Sequence, residues 1–239
     1  MKTILASVGV LALTSLTACG SDAGDPPKQG EFDHGTVVAV GPDGGSNVTK
    51  PPFAHYEYPA APYGSQLDSV IAPLQLLGWN APGDSDYDTE ALDEVGIGQF
   101  YNPDGSKPWK LIWVNASAVW CGPCNAEYAQ MRDEDTYEKE LKPRGVAVIG
   151  TLMENAASPP GPASPTNIRS WGMKYQVKFP LAVDPAFKMG QYFEQATIPG
   201  GVLVDAKTMK IVTKLSGGAV TGPNGVLAEI DAALASLPQ

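Results

Sequence analysis

The sequence predicts an α/β fold, a three-layer α/β/α sandwich occupying one domain over residues 63–239. Three observations carry that prediction. Short apolar runs alternate with segments whose apolar residues recur every three or four positions, the pattern of strands interleaved with helices. Two of the runs, Leu111-Ile112-Trp113-Val114 and Val146-Ala147-Val148-Ile149, carry no charged residue and read as buried strands. The roughly 175 residues of this stretch are enough for one ample core.

Asn102-Pro103-Asp104-Gly105 is a turn signal between Phe100-Tyr101 and residues 111–116, which predicts a hairpin leading into the central strand. That strand ends near Ala116, and a helix starts at Cys121. The strand 146–149 follows. Ser164-Pro165 and Asp184-Pro185 each place an N-cap residue before a proline at the first helical position. After the first of these, Ile168, Trp171 and Tyr175 fall on one helical face and are assigned to the core. Residues 202–205 and 210–215 form a second hairpin across Ala206-Lys207-Thr208-Met209. Val226, Leu227, Ile230, Leu234 and Leu237 repeat at helical spacing and give a closing helix.

Ahead of the domain, Met1-Lys2 and the apolar run 4–13 form an export signal over residues 1–18, too short for a spanning helix. Residues 19–62, rich in Gly, Pro and Asp, read as a flexible tether, in which Thr36-Val37-Val38-Ala39-Val40 is a candidate edge strand. Removal of the signal leaves 15 basic against 26 acidic residues, a formal charge of −11. Such a surface repels nucleic acid and anionic lipid. The acidic run 84–90 starts like a calcium loop but has Thr89 where glycine is required and Val95 where a bidentate glutamate is required, so it reads as a solvated loop.

The chemistry is concentrated in Trp120-Cys121-Gly122-Pro123-Cys124. Two thiols two residues apart, at the start of a helix, read as a redox-active dithiol. The unpaired amides and macrodipole of the helix N-terminus stabilise a Cys121 thiolate, and Cys124, one turn on, closes a disulfide or resolves a mixed one. Half of a zinc site and an inert structural disulfide are the alternatives. The other potential ligands, Cys19, His34 and His55, lie far upstream, and no metal or cofactor is expected.

The motif WCGPC after a buried strand resembles the thioredoxin superfamily, and the chain is similar to its TlpA/ResA-type (redoxin) branch of exported, membrane-tethered thiol-disulfide oxidoreductases. Asn115 stands where cytosolic thioredoxins carry a buried aspartate, and Glu127 where that branch has a glutamate near the active site. Residues 197–205 resemble the cis-proline segment and the strand after it, which implies a cis Ile198-Pro199 bond beside the dithiol. The resemblance spans roughly residues 66–238, opening with Ser69-Val70-Ile71-Ala72-Pro73-Leu74. It implies a thioredoxin-like sandwich with an N-terminal hairpin extension and a central insert, an extra strand and helix between Cys124 and Pro199. Ala129 replaces a helix-kinking proline of many relatives, so the first helix is either straighter or broken elsewhere. The proline-dense loop 155–165 is a candidate stiff wall beside the site or a tolerated surface insertion. Leu16-Thr17-Ala18-Cys19 resembles a bacterial lipobox, implying acylation of Cys19; ordinary signal cleavage after Gly20 is the alternative.

The resemblance thus implies site residues Cys121, Cys124, Trp120, Glu127 and Pro199, with Glu127 handling the Cys124 proton or tuning its pKa. The implied activity is dithiol-disulfide exchange with extracytoplasmic proteins, as a reductase supplied by a separate membrane electron donor. A disulfide-donating oxidase, a peroxiredoxin-like peroxidase and a non-redox binding module are the rivals. A peroxidase is expected to carry threonine where Ala118 stands, and a copper chaperone a histidine downstream of the cysteines, yet no histidine follows His55.

Overall fold

The computed structural model describes residues 57–193 and 197–238. Among these, seven strands form one mixed sheet: β1 (Gln75–Trp79), β2 (Asp93–Gly96), β3 (Leu111–Ser117), β4 (Val146–Leu152), β5 (Leu181–Val183), β6 (Gly200–Asp205) and β7 (Ile211–Ser216). Their order across the sheet is β2-β1-β5-β4-β3-β6-β7. β3 and β4 are parallel neighbours, in register from Leu111↔Val146 to Ser117↔Leu152, and every residue of both is buried. A strand covered on both faces has no cause to alternate polar with apolar, which explains the unbroken runs.

Alternate residues of these strands feed two cores. Leu111, Trp113, Val146 and Val148 pack with the three helices α1 (Gly122–Asp133), α2 (Pro165–Tyr175) and α3 (Val226–Ser236). Ile112, Val114, Ala147 and Ile149 face the other way. That second face is covered by the 3₁₀ turns Ile97–Phe100 and Lys188–Gln191 and by residues 71–74. The layering is as expected, but among the described residues the third layer consists of 3₁₀ turns and loops instead of α-helix.

The central insert is α2 with β5, placed between β4 and β1. At its start Ser164 N and Ser164 Oγ both donate to Asn167 Oδ1, each at 2.9 Å, and Pro165 opens the helix. Ile168, Trp171 and Tyr175 are buried, as their spacing required. The hairpin β6–β7 and the closing helix α3 also stand where expected. α1 ends at Asp133, Asp135 takes a positive φ of 53°, and a separate helical turn begins at Tyr137. Lacking the proline kink, this helix is broken elsewhere.

Two expectations need correction. The N-terminal hairpin is β1–β2, paired antiparallel and attached to β5, and not residues 100–101 with 111–116. Phe100 ends a 3₁₀ turn, and Asn102 folds the following loop on itself, accepting from Lys107 N and donating to Lys107 O and Trp109 O. Asp184-Pro185 does not open an α-helix either. Asp184 accepts instead from Lys188 N and Met189 N, at 2.8 and 2.9 Å, capping a 3₁₀ turn after Phe187 has taken a positive φ of 48°.

β1 approaches β5 closely at Gly78, where a Cβ would lie 2.2 Å from Leu181 O and 2.6 Å from Ala182 Cα. Backbone cannot yield as a side-chain end can. Gly78→Ala is therefore expected to separate the strands and lower the unfolding free energy by about 1–3 kcal/mol, read as a lower urea midpoint at unchanged slope.

The signal 1–18, Cys19, most of the tether, the strand candidate 36–40, His34 and His55 lie outside the described residues. Among the described residues no helix is long and apolar enough to cross a membrane.

Candidate active site

The turn between β3 and α1 puts a sulfur at a helix N-terminus. Cys121 is the N-cap of α1, with extended backbone (φ −75°, ψ 109°), and its Sγ accepts the Cys124 N–H at 3.1 Å. That amide is one of the donors a helix cannot satisfy internally, and it stabilises negative charge on Sγ when the thiol ionises. Pro123 occupies the first turn, where its missing N–H is no loss. Asn125 braces the turn: its Nδ2 donates to Cys121 O at 2.7 Å and Val119 O at 3.1 Å, while its Oδ1 accepts from Lys174 Nζ and the Tyr175 hydroxyl of α2. Cys121 and Cys124 are joined as a disulfide and are 2% and 0% exposed.

Facing the disulfide, the Ile198-Pro199 bond is cis and Ile198 O lies 3.6 Å from Cys121 Sγ. Pro199 leads into β6, which is flanked by β3 and β7, and Pro199 O accepts from Gly217 N. Both edges of β6 are thus already paired.

Beneath the dithiol, Glu127 is 2% exposed. Asn115 Nδ2 donates to Glu127 Oε1 at 2.7 Å, and Asn115 Oδ1 accepts from Ser117 Oγ at 3.0 Å and the Tyr128 hydroxyl at 3.3 Å. The amide is thus held from both ends. Burial pushes the Glu127 carboxyl up to about 8, the Asn115 hydrogen bond offsetting part of that rise. Burial also raises the Tyr128 phenol, reinforced by the charge of Glu127. A carboxyl that titrates near neutrality, one helical turn from Cys124, is suited to proton transfer.

Trp120 is 48% exposed, and its Nε1 donates to Glu154 Oε2 at 2.7 Å. Beside it opens a cavity of about 460 Å³ bounded by Trp120, Glu154, Pro160, Pro162, Phe187 and Ile198. The proline-dense loop forms one wall, held by Asn155 Oδ1, which accepts from Ala157 N and Gly161 N.

Residues 101–213 match the family model for the AhpC/TSA family. Over 108 residues the chain is 27% identical to the thiol-disulfide oxidoreductase ResA of Bacillus cereus, covering 45% of this chain and 56% of that protein. The chain is thus similar to the AhpC/TSA family and to a thiol-disulfide oxidoreductase. The match spans little more than half the length of that curated relative. An uncharacterized conserved protein from Geobacillus kaustophilus shares the fold, with a TM-score of 0.50 at 15% identity over 73% of this chain and 85% of that one. A DsbF homologue from Corynebacterium diphtheriae overlaps at a TM-score of 0.47, with 15% identity over 71% and 87% of the two chains.

The structure gathers Trp120, Cys121, Cys124, Glu127 and Pro199 around one disulfide. Cys19 falls outside the described residues. Glu154, Ser117 and Asn125 were not singled out by the sequence. Ser117 and Asn125 flank the motif closely enough that a polar residue on a buried strand, or one after the second cysteine, was a usable signal. Glu154 comes from beyond β4, and no local spacing ties it to Trp120.

Proposed function

We propose that the chain is an extracytoplasmic protein thiol-disulfide oxidoreductase that works as a reductase through Cys121-Gly122-Pro123-Cys124. The observation that carries this reading is the disulfide whose N-terminal sulfur sits at the N-cap of α1 and accepts an amide N–H. In the reduced protein the Cys121 thiolate attacks the partner's disulfide; a Cys121–partner S–S bond forms, the partner's own bond breaks, and one partner thiolate leaves. Cys124, its proton passed to the ionised Glu127 carboxylate, attacks Cys121 Sγ, closing the disulfide and releasing the second partner thiol. Two electrons have moved to the partner. Re-reduction outside the cytoplasm requires a donor that delivers electrons across the membrane, and a lipid on Cys19 would hold the domain near it.

The Gly122-Pro123 dipeptide, shared with thioredoxin, supports the reducing direction. The test is the equilibrium reduction potential of the full-length protein, followed by Trp120 fluorescence in thiol buffers. A two-electron transition near or below about −270 mV is expected; one near about −120 mV makes the protein a disulfide donor. Cys124→Ala lacks the resolving thiol and is expected to accumulate reductant-sensitive mixed disulfides with partner proteins, and a failure to trap any removes both directions. The AhpC/TSA match favours a peroxidase as the second reading. A peroxide-consumption assay separates them, with no turnover expected.

A further inference from the structure

The cavity beside the dithiol shares Trp120 and Ile198 with it, so whatever enters the cavity is continuous with a partner's reacting cysteine. Its walls include Pro160, Pro162, Phe187 and Ile198, and Glu154 is the one charged residue among those lining it. The carboxylate accepts a hydrogen bond from a neutral indole N–H through Oε2, and no ion pair to it occurs among the described residues. Its place is fixed by the backbone: Glu154 bridges to Pro162, and Glu154 O accepts from Val119 N at 2.9 Å. A rigid carboxylate therefore stands at the edge of an indole that is 48% exposed, in a chain of formal charge −10.

That pairing selects a particular side chain. Guanidinium is planar, stacks on an aromatic face and donates in plane to a carboxylate, and its aliphatic stem suits apolar walls; an ammonium is a compact point charge that does not do both at once. Building on the exchange reading above, we propose that this cavity is a subsite for an arginine next to the partner's reacting cysteine, stacked on Trp120 and paired with Glu154. The walls supplied by the insert loop make it a specificity element separate from the two sulfurs.

The test uses reduced full-length protein and short peptides with one internal disulfide, carrying arginine, citrulline or glutamate beside either cysteine. Citrulline keeps the shape of arginine and removes its charge. The arginine peptide is expected to react about 5–30-fold faster than the citrulline peptide, with glutamate slowest and the preference shrinking as salt rises. Glu154→Gln retains an acceptor for the Trp120 N–H and the Trp120 face, and is expected to lower the arginine-to-citrulline ratio by about 2–5-fold. Equal rates for arginine and citrulline in the unaltered protein overturn the subsite while leaving exchange standing. An unchanged ratio in Glu154→Gln overturns it as well, since arginine is then read elsewhere. No exchange with any peptide overturns the exchange reading and the subsite together.

Discussion

Cys121→Ser is expected to abolish disulfide exchange, with a loss of roughly 10³-fold or more, while the domain stays folded. The reason for intact folding is local. Cys121 occupies the N-cap of α1 and accepts the Cys124 N–H, a task serine performs well. The missing cross-link closes only a very short loop, whose chain-entropy contribution is about 2 kcal/mol. A serine hydroxyl, however, neither ionises near neutrality nor forms a bond to sulfur. Stopped-flow exchange with a disulfide peptide, alongside urea unfolding against the reduced unaltered protein, checks both halves. No exchange by the unaltered protein, with partner binding unchanged in a folded Cys121→Ser protein, is the behaviour of a binding module on this fold and ends the oxidoreductase reading.

Glu127→Gln is expected to flatten a pH dependence of stability that reaches about 5 kcal/mol. The folded carboxyl titrates near 8, above its ordinary value of 4.5, because burial disfavours the charge. Between those values the folded protein keeps a proton that the unfolded chain has released. Stability is accordingly full below about pH 4.5, falls through the window, and reaches its floor above about 8. Glutamine has no charge to bury, so the variant gains on the unaltered protein as pH rises. Urea titrations at three pH values read the slope directly. If Glu127 also takes the Cys124 proton, the exchange rate of the variant loses its pH dependence near 8; unaltered profiles in both measurements dismiss the residue's role.

What the chain revealed before folding was whatever is encoded by neighbours. β3 and β4 are apolar throughout because both faces are covered, and the dithiol, its N-cap geometry and the closing helix follow from short spacings. β1 and β2 were hidden because tertiary pairing makes them: Gln75 and Leu77 are exposed, Gly78 is there for close approach, and Asp93 and Glu94 are two exposed acids in a strand of four residues. Asp184 was recognised as a cap, but its donors come after a left-handed residue that breaks the simple proline-first pattern. The cis-proline resemblance had already placed Ile198-Pro199 beside the dithiol, whereas Glu154 arrives from a separate stretch of chain, so its meeting with Trp120 belongs to the fold and not to any motif.

The burial of both sulfurs has a kinetic side. Thiol-disulfide exchange needs an attacking sulfur in line with the bond it breaks, and a disulfide 2% and 0% exposed denies that approach to molecules that merely collide with it. Small dissolved thiols then equilibrate with it slowly, whereas a protein that docks and displaces the covering groups reacts fast. In the proposed oxidoreductase, electron flow is then set by which partners fit, not by the composition of the surrounding fluid. Several carriers of this design, each poised at its own potential, can share one compartment without short-circuiting one another.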